Sequence, residues 1–176
     1  MKILIHICCA PCLIHPLEVL KLKGFEVTGL FFNPNIHCFL EYGRRKDALS
    51  VLNPGIEIVH TEYSPQDFFR AINFKEDVPV RCGICWRLRL KRTARVAALK
   101  GFKYFSTTLL VSPYQDHEML KRIAAEVSKE EGVEFYYADF RPGFKKAMEE
   151  AKSKGIYTQK YCGCIYSQIE RSKKNA

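Results

Sequence analysis

Five short apolar runs of strand length alternate along this chain with segments whose apolar residues recur at helical spacing, and that alternation leaves few folds open. The runs KILIHIC, EVTGLFFN, IEIVH, KYFSTTL and VEFYYAD read as strands one to five. LEVLKLKG reads as a helix ended by Gly24, and further helices fall near 39–52, 65–73, 84–100, from Ser112-Pro113 to about Glu131, and near 144–153 and 164–173. Ser64, with Asp67 three residues on, has the spacing of a capping box. Pro16 should disturb any helix running straight out of Cys12. The pattern predicts a doubly wound, mostly parallel five-stranded α/β sheet, Rossmann-like or HUP-like, with helices on both faces and a short helical C-terminus. At 176 residues and 47% hydrophobic content, the chain is expected to form a single domain over 1–176.

Ligands of such a sheet sit beyond the carboxyl ends of the strands, where strand order reverses. If strand one is central and flanked by strand four, CCAPC and STTLLVSPYQD open onto one crevice. The first apolar run is interrupted by His6, Pro11 and His15, so it reads as a strand rather than a signal peptide. No run approaches the roughly 18 apolar residues of a membrane span. A cytoplasmic location is expected, where thiols stay reduced and clustered cysteines point to metal or redox chemistry rather than to disulfides.

The eight cysteines fall as Cys8-Cys9-x-x-Cys12, a lone Cys38, Cys82-x-x-Cys85 and Cys162-x-Cys164. A C-x-x-C lets two sulfurs from one turn converge on a metal, and Gly83 and Gly163 permit a tight backbone. Adjacent Cys8 and Cys9 would point to opposite faces of a regular strand, so they are expected to reach two neighbouring sites. Cys38 reads as a small buried hydrophobe. One closed zinc site uses four thiolates and leaves clustered cysteines over, whereas an iron–sulfur cluster with a second metal or a reactive thiol pair beside it uses the count better. Spacing alone does not decide between them.

The formal net charge of +9 is unevenly placed. From Arg81 to Lys103 there are eight Lys or Arg and no acid. Trp86, Leu88, Leu90, Val96 and Leu99 can supply an apolar helix face, with Arg87, Lys91, Arg92 and Arg95 spread over the rest. The ordinary reading is a solvated face. A helix without compensating acid also suits phosphates, which makes nucleic acid the leading macromolecular partner, with Arg44, Arg45 and Lys46 as the alternative surface.

HICCAPC, FFNPNIHCFLEY, RCGICWRLRL, STTLLVSPYQD, DFRPG and YCGCIYS, in that order, resemble the segments of the QueH-type epoxyqueuosine reductases, from about residue 3 to 172. The resemblance implies the last step of queuosine synthesis: reduction of an epoxide carried by the deazaguanine at the tRNA wobble position, giving queuosine and water. It implies a metalloenzyme with a 4Fe-4S cluster and a neighbouring second metal ion, iron, unlike the cobalamin-dependent reductase of the same step. Its partners would be tRNA carrying epoxyqueuosine and an unidentified electron donor. Cys8, Cys9, Cys12, Cys82, Cys85, Cys162 and Cys164 match the family's cysteines. Cys38 stands where the family has proline and Trp86 where it has Tyr or Phe, so Cys38 is left out of the ligand set.

Deoxygenating an epoxide takes two electrons and two protons, and the oxygen leaves poorly until a Lewis acid or a proton takes up its charge. The expected assignment puts the cluster on Cys9, Cys82 and Cys85, and the second metal on Cys8, Cys162 and Cys164 with Asp116, these last four taking part in the chemistry. Asp116 reads equally well as a carboxylate at a helix N-terminus. Cys12 is a further candidate ligand, and Tyr114, Tyr161 and Asp139 are candidate proton donors or base contacts. His6 reads as a strand residue, His15 and His60 as satisfied or exposed, and His37 and His117 stay open. Two other classes compete: a non-catalytic zinc protein that binds RNA, and an ATP-dependent tRNA-modifying enzyme. Against the second, CCAPC stands where a Gly/Ser-rich phosphate cradle should follow strand one.

Overall fold

The computed structural model describes residues 1–174. Its sheet is ordered β3-β2-β1-β4-β5 with every neighbouring pair parallel, from β1 (Lys2–His6), β2 (Glu26–Phe31), β3 (Ile58–His60), β4 (Tyr104–Thr107) and β5 (Glu134–Phe135). Central β1 pairs Ile5 with Gly29 on one side and with Ser106 on the other. Ile3, Leu4 and Ile5 are all fully buried, as the unbroken apolar run requires of a strand covered on both faces. α1 (Ala10–Leu22) packs with α2 (Phe39–Leu52) and α6 (Phe144–Ser153), while α4 (Val80–Leu99) packs with α3 (Pro65–Ile72) and α5 (His117–Glu131) and lies against β1 and β4. α7 (Ile165–Lys174) closes the described chain. The expected doubly wound sheet is therefore present, and its order reverses between β1 and β4.

Several boundaries move. β5 keeps two residues of the seven in VEFYYAD, although Tyr136 still donates its N–H to the Phe105 carbonyl at 2.8 Å. The helix expected from Ser112-Pro113 starts at His117 instead, after a 3-10 turn over Thr108–Val111. Ser64 does precede α3, but its side chain makes no cap bond; Asp67 is one methylene shorter than the Glu or Gln that closes a capping box.

Pro16 does not interrupt the first helix. α1 begins at Ala10, directly after Cys9, with Pro11 in the first turn where no N–H is needed, and Pro16 lies buried inside it. An interior proline costs about 3 kcal/mol. Burial of Leu13, Leu17 and Leu20, at about 1.5–3 kcal/mol each, exceeds that. Gly24, at φ 77°, ends the helix as expected.

α1 and α6 meet where His15 covers Gly143: a Cβ built there would lie 2.0 Å from the His15 ring. Gly143→Ala should lower the unfolding free energy by about 1–3 kcal/mol through overpacking. In a His15→Ala background the same change should cost clearly less. Equal costs in both backgrounds, by denaturant unfolding, would show that the ring does not set this contact.

Candidate metal centre at the carboxyl ends of the central strands

The crevice is pinned first by a buried histidine. His6 Nδ1 meets Thr107 Oγ1 at 3.0 Å, and Nε2 faces the Phe32 carbonyl at 3.1 Å and Asn33 Oδ1 at 3.2 Å. Asn33 Nδ2 donates to the Ile7 carbonyl at 2.8 Å. Burial pushes the His6 pKa down to about 4, so the ring ties the ends of β1, β4 and β2 together as a neutral group.

Immediately beyond, the backbone leaves strand geometry, and the expected divergence of Cys8 and Cys9 does not occur. Cys9 is extended at φ −169° and ψ 163° and serves as the residue before α1, which brings its sulfur to 3.8 Å from that of Cys8. Cys12 follows one turn into α1, and the three sulfurs all lie within 4.8 Å of one another. Four thiolates on a tetrahedral ion with bonds of about 2.3 Å would have S–S edges of about 3.8 Å, so this spacing fits ligands of a single metal ion. Thr108 holds Cys8 at both ends: Oγ1 accepts from the Cys8 N–H at 3.0 Å and donates to Sγ at 3.2 Å. Hydrogen bonds from Cys12 and Cys9 hold the Cys8 thiol well below its usual pKa, while burial raises Cys9. Gln159 Nε2 approaches Cys9 Sγ at 2.8 Å from the far end of the chain.

The remaining clustered cysteines gather beside this triad. Cys82 and Cys85 lie in the first two turns of α4, and Gly83 is helical there, where a Cβ would make only ordinary contact with Met119 Sδ at 3.4 Å. Cys85 and Cys164 share an apolar cluster with Phe68 and Ile72, and burial pushes Cys85 up to about 12. Cys162 is exposed as a residue but faces the cavity, where loss of surrounding water and Cys164 raise its thiol against the pull of Arg89. Gly163 has φ 132°, and a Cβ would meet Ile36 at 3.0 Å and Arg45 Nη1 at 3.2 Å, so only glycine fits between the two cysteines.

Three arginines are buried beside these thiols; Arg81 pairs with Glu170 of α7 at 2.8 Å, and the other two reach the cavity. Arg45, 1% exposed, donates from Nε to Glu41 at 2.7 Å, from Nη1 to the Cys162 carbonyl at 2.9 Å and from Nη2 to the Tyr161 carbonyl at 3.0 Å. The second oxygen of Glu41 accepts from Tyr157 OH at 2.6 Å. Arg89, also 1% exposed, has no carboxylate partner among the described residues; Nε donates to the Cys85 carbonyl at 3.3 Å, and Nη2 is buried without a partner. Burial opposes its charge, yet the thiols of Cys85, Cys162 and Cys8 raise its pKa. Cys8, Cys12, Cys162, Arg45, Arg89 and Gln159 line one cavity of about 480 Å³.

The other expected residues are placed as follows. Asp116 caps α5, accepting from the Met119 N–H at 2.9 Å. Among the described residues only Cys8, Cys9 and Cys12 bring three candidate ligand atoms within 4.8 Å, so Asp116, Cys162 and Cys164 do not join Cys8 in a group that tight. Tyr161 gives its hydroxyl proton to the His37 carbonyl at 2.6 Å, with its pKa pushed up to about 12 by burial. Asp139 is gripped by Arg141, which holds its pKa at about 2. Tyr114 is 84% exposed at the cavity wall. Cys38 is exposed at the start of α2 rather than buried. His37 is buried, Nε2 facing the Pro34 carbonyl and Nδ1 accepting from the Ile165 N–H, while buried His117 faces the Ser112 carbonyl. On α4, Leu99 is 87% exposed, and the cations do find acids, on α5: Arg87 meets Glu126 and Glu130, Lys91 meets Glu130, and Arg95 meets Glu131. Arg92 instead lies over the Phe32 ring.

Sequence reasoning missed Arg89, Gln159 and Thr108, and it read Arg45 only as a surface cation. Arg89 had a signal, falling three residues after Trp86 and four before Thr93 on the buried face of α4. The Glu41–Arg45 spacing of four residues was another. Gln159 had none.

A family model described as epoxyqueuosine reductase QueH matches residues 3–170. The chain is 38% identical over 176 residues to a protein named epoxyqueuosine reductase QueH from Dehalococcoides mccartyi, covering 98% of this chain and 96% of that one. It is 35% identical over 184 residues to the Thermotoga maritima protein of the same name, covering 99% and 94%. Among solved structures it is similar in fold to a predicted subunit of tRNA methyltransferase from Methanocaldococcus jannaschii, with a TM-score of 0.52 at 10% identity over 86% of this chain and 76% of that one.

Breaking the Arg45 pair tests how the second thiol loop is held. Arg45→Met should lower the unfolding free energy by about 3–5 kcal/mol, because Glu41 is left buried with its charge unpaired. It should also change the alkylation rate of Cys162, an exposed thiol, in the apo-protein, and adding Glu41→Gln should recover much of the stability but not the native rate. Unchanged Cys162 reactivity in a folded Arg45→Met protein would show that the guanidinium does not hold the loop.

Proposed function

The chain belongs to the epoxyqueuosine reductase QueH family, and from that premise we propose that its thiol-lined crevice reduces epoxyqueuosine at the tRNA wobble position to queuosine. Two electrons and two protons convert the epoxide to an alkene and water: both carbon–oxygen bonds break and a carbon–carbon double bond forms. The observation that carries the reading is the meeting of three thiols at the β1/β4 switch point beside a buried arginine without a carboxylate partner.

The donor set fits thiolate-bound metal. Cys8, Cys9 and Cys12 would hold a single metal ion, iron, and Cys82, Cys85, Cys162 and Cys164 a 4Fe-4S cluster. Ligands of such a cluster sit on different irons, so these four need not crowd as the triad does. When bound, these centres supply low-potential electrons one at a time and a Lewis acid for the departing oxygen. The chain's own residues do the rest. Arg89 is a fixed cation that offsets the negative charge of deprotonated thiols, and its orphaned Nη2–H suits a sulfur acceptor. Thr108 orients Cys8, and Gln159 orients Cys9. Of the candidate proton donors, Tyr161 has committed its proton to a carbonyl and Asp139 is held ionised, which leaves Tyr114 at the cavity wall as donor. Asp116 keeps one carboxylate oxygen beyond its cap bond for a water or metal contact. An unidentified one-electron donor supplies the electrons. No described helix is long and apolar enough to cross a membrane, in keeping with tRNA chemistry in the cytoplasm.

Protein purified without oxygen should be brown and carry more than four irons per chain, and with a strong reductant it should convert epoxyqueuosine in tRNA or an anticodon stem-loop to queuosine. Cys82→Ser or Cys85→Ser should bleach the visible absorption and abolish turnover. Colourless, zinc-only protein with full activity would overturn the metal assignment, and fully iron-loaded protein with no turnover would overturn the reaction.

A further inference from the structure

Next to the thiol cavity lies a second one of about 680 Å³, between the start of α2 and the face of α7. Its charged and aromatic lining includes Arg44, Lys160, Arg171, Tyr157, Tyr161 and His37. Lys160, Tyr161 and Arg171 line both cavities, so the two share a wall. Arg44, Lys160 and Arg171 are exposed and form no salt bridge among the described residues, and the Arg44 guanidinium sits 6.0 Å from the Tyr157 ring. The acid at this wall, Glu41, is already paired with Arg45 and accepts from the Tyr157 hydroxyl. The volume is within the roughly 300–1,000 Å³ that ligand-sized groups occupy.

The α4 face, although its cavity of about 580 Å³ is also ligand-sized and its Arg92 lies over the Phe32 ring without a salt bridge among the described residues, contrasts in its acids. Its cations Arg87, Lys91 and Arg95 are engaged by Glu126, Glu130 and Glu131, and the neighbouring cavity also presents Glu62 and Asp67. A phosphate arriving there must displace carboxylates or face them. One arriving at Arg44, Lys160 and Arg171 meets cations with nothing to give up. Aromatic rings among those cations supply what an unstacked base needs, since single-stranded RNA is held by stacking and by phosphate contacts together.

Resting on the tRNA reading above, we propose that this second cavity receives an anticodon-loop nucleotide flanking the wobble position, its phosphates on Arg44, Lys160 and Arg171 and its base against Tyr157 or Tyr161. The shared wall then delivers the wobble nucleoside itself into the thiol cavity.

The test uses iron-loaded protein and the anticodon stem-loop without the epoxide, so that binding is read apart from reduction. Arg44→Ala, Lys160→Ala and Arg171→Ala combined should weaken binding at least tenfold and lower the log–log salt slope by about 2, at about 0.7 per single-strand phosphate contact, with cluster absorption unchanged. Arg87→Ala, Lys91→Ala and Arg95→Ala combined should change affinity less than threefold. Independently of any variant, bound RNA should protect Cys38, which is exposed on the wall of this cavity, from alkylation mapped by mass spectrometry. Larger losses from the α4 set, equal losses from both sets, or an unprotected Cys38 would each overturn the placement while leaving the reductase reading intact. A wild-type protein that binds no tRNA at low salt would overturn both.

Discussion

Taking a guanidinium out of water costs several kcal/mol unless it is paired and hydrogen-bonded, and this chain buries three of them beside its thiols: Arg45, Arg81, which pairs with Glu170, and Arg89. Arg45 offsets that cost with Glu41 and two backbone carbonyls, and those carbonyls belong to Tyr161 and Cys162. A segment with little apolar side chain of its own is thereby fastened to α2. Gly163 packs against the same guanidinium at a φ that other residues rarely adopt, so the cation and the glycine together set how Cys162 and Cys164 are presented. Arg89 has no such carboxylate among the described residues. Its compensation must come from sulfur, which makes a charged, thiolate state of the site the one in which the fold is electrostatically complete.

The two thiol groups differ in how they are built. Cys8, Cys9 and Cys12 depend on local geometry, a strand that stops at His6 and a helix that starts at Ala10, and they crowd to within 4.8 Å. Cys82, Cys85, Cys162 and Cys164 depend on long-range packing, with Cys85 and Cys164 seated on Phe68 and Ile72 of α3. Rigid neighbours matter to both. His6 is satisfied on each ring nitrogen, and His37 meets Pro34 and Ile165 while stacking on Phe69, so neither is free to serve as a ligand without dismantling a junction.

Net charge along a segment does not show which of its cations are free of acids. The segment from Arg81 to Lys103 is the most basic in the sequence, but α5 lays three glutamates along it. These exposed pairs contribute little stability, about 0–1 kcal/mol each. Their larger effect is on the field, since a cation already facing a carboxylate attracts a phosphate less.

Periodicity and motif order by themselves determined the parallel α/β sheet and the family, because strand and helix spacing are local properties and the cysteine segments are distinctive in order, whereas the central place of β1, on which the shared crevice of CCAPC and STTLL depends, is a matter of strand order. Local rules also misled where burial outweighed them: Pro16 stays helical because Leu13, Leu17 and Leu20 pack into the core. The tertiary structure alone decided which thiols meet, that Arg89 faces inward without a carboxylate among the described residues, that Arg87, Lys91 and Arg95 of α4 meet glutamates of α5, and that Gln159 reaches Cys9 across 150 residues. Each of these is a contact between elements remote in sequence. The direction of a side chain at such a junction follows from how helices pack across the sheet, and no spacing within one segment encodes it.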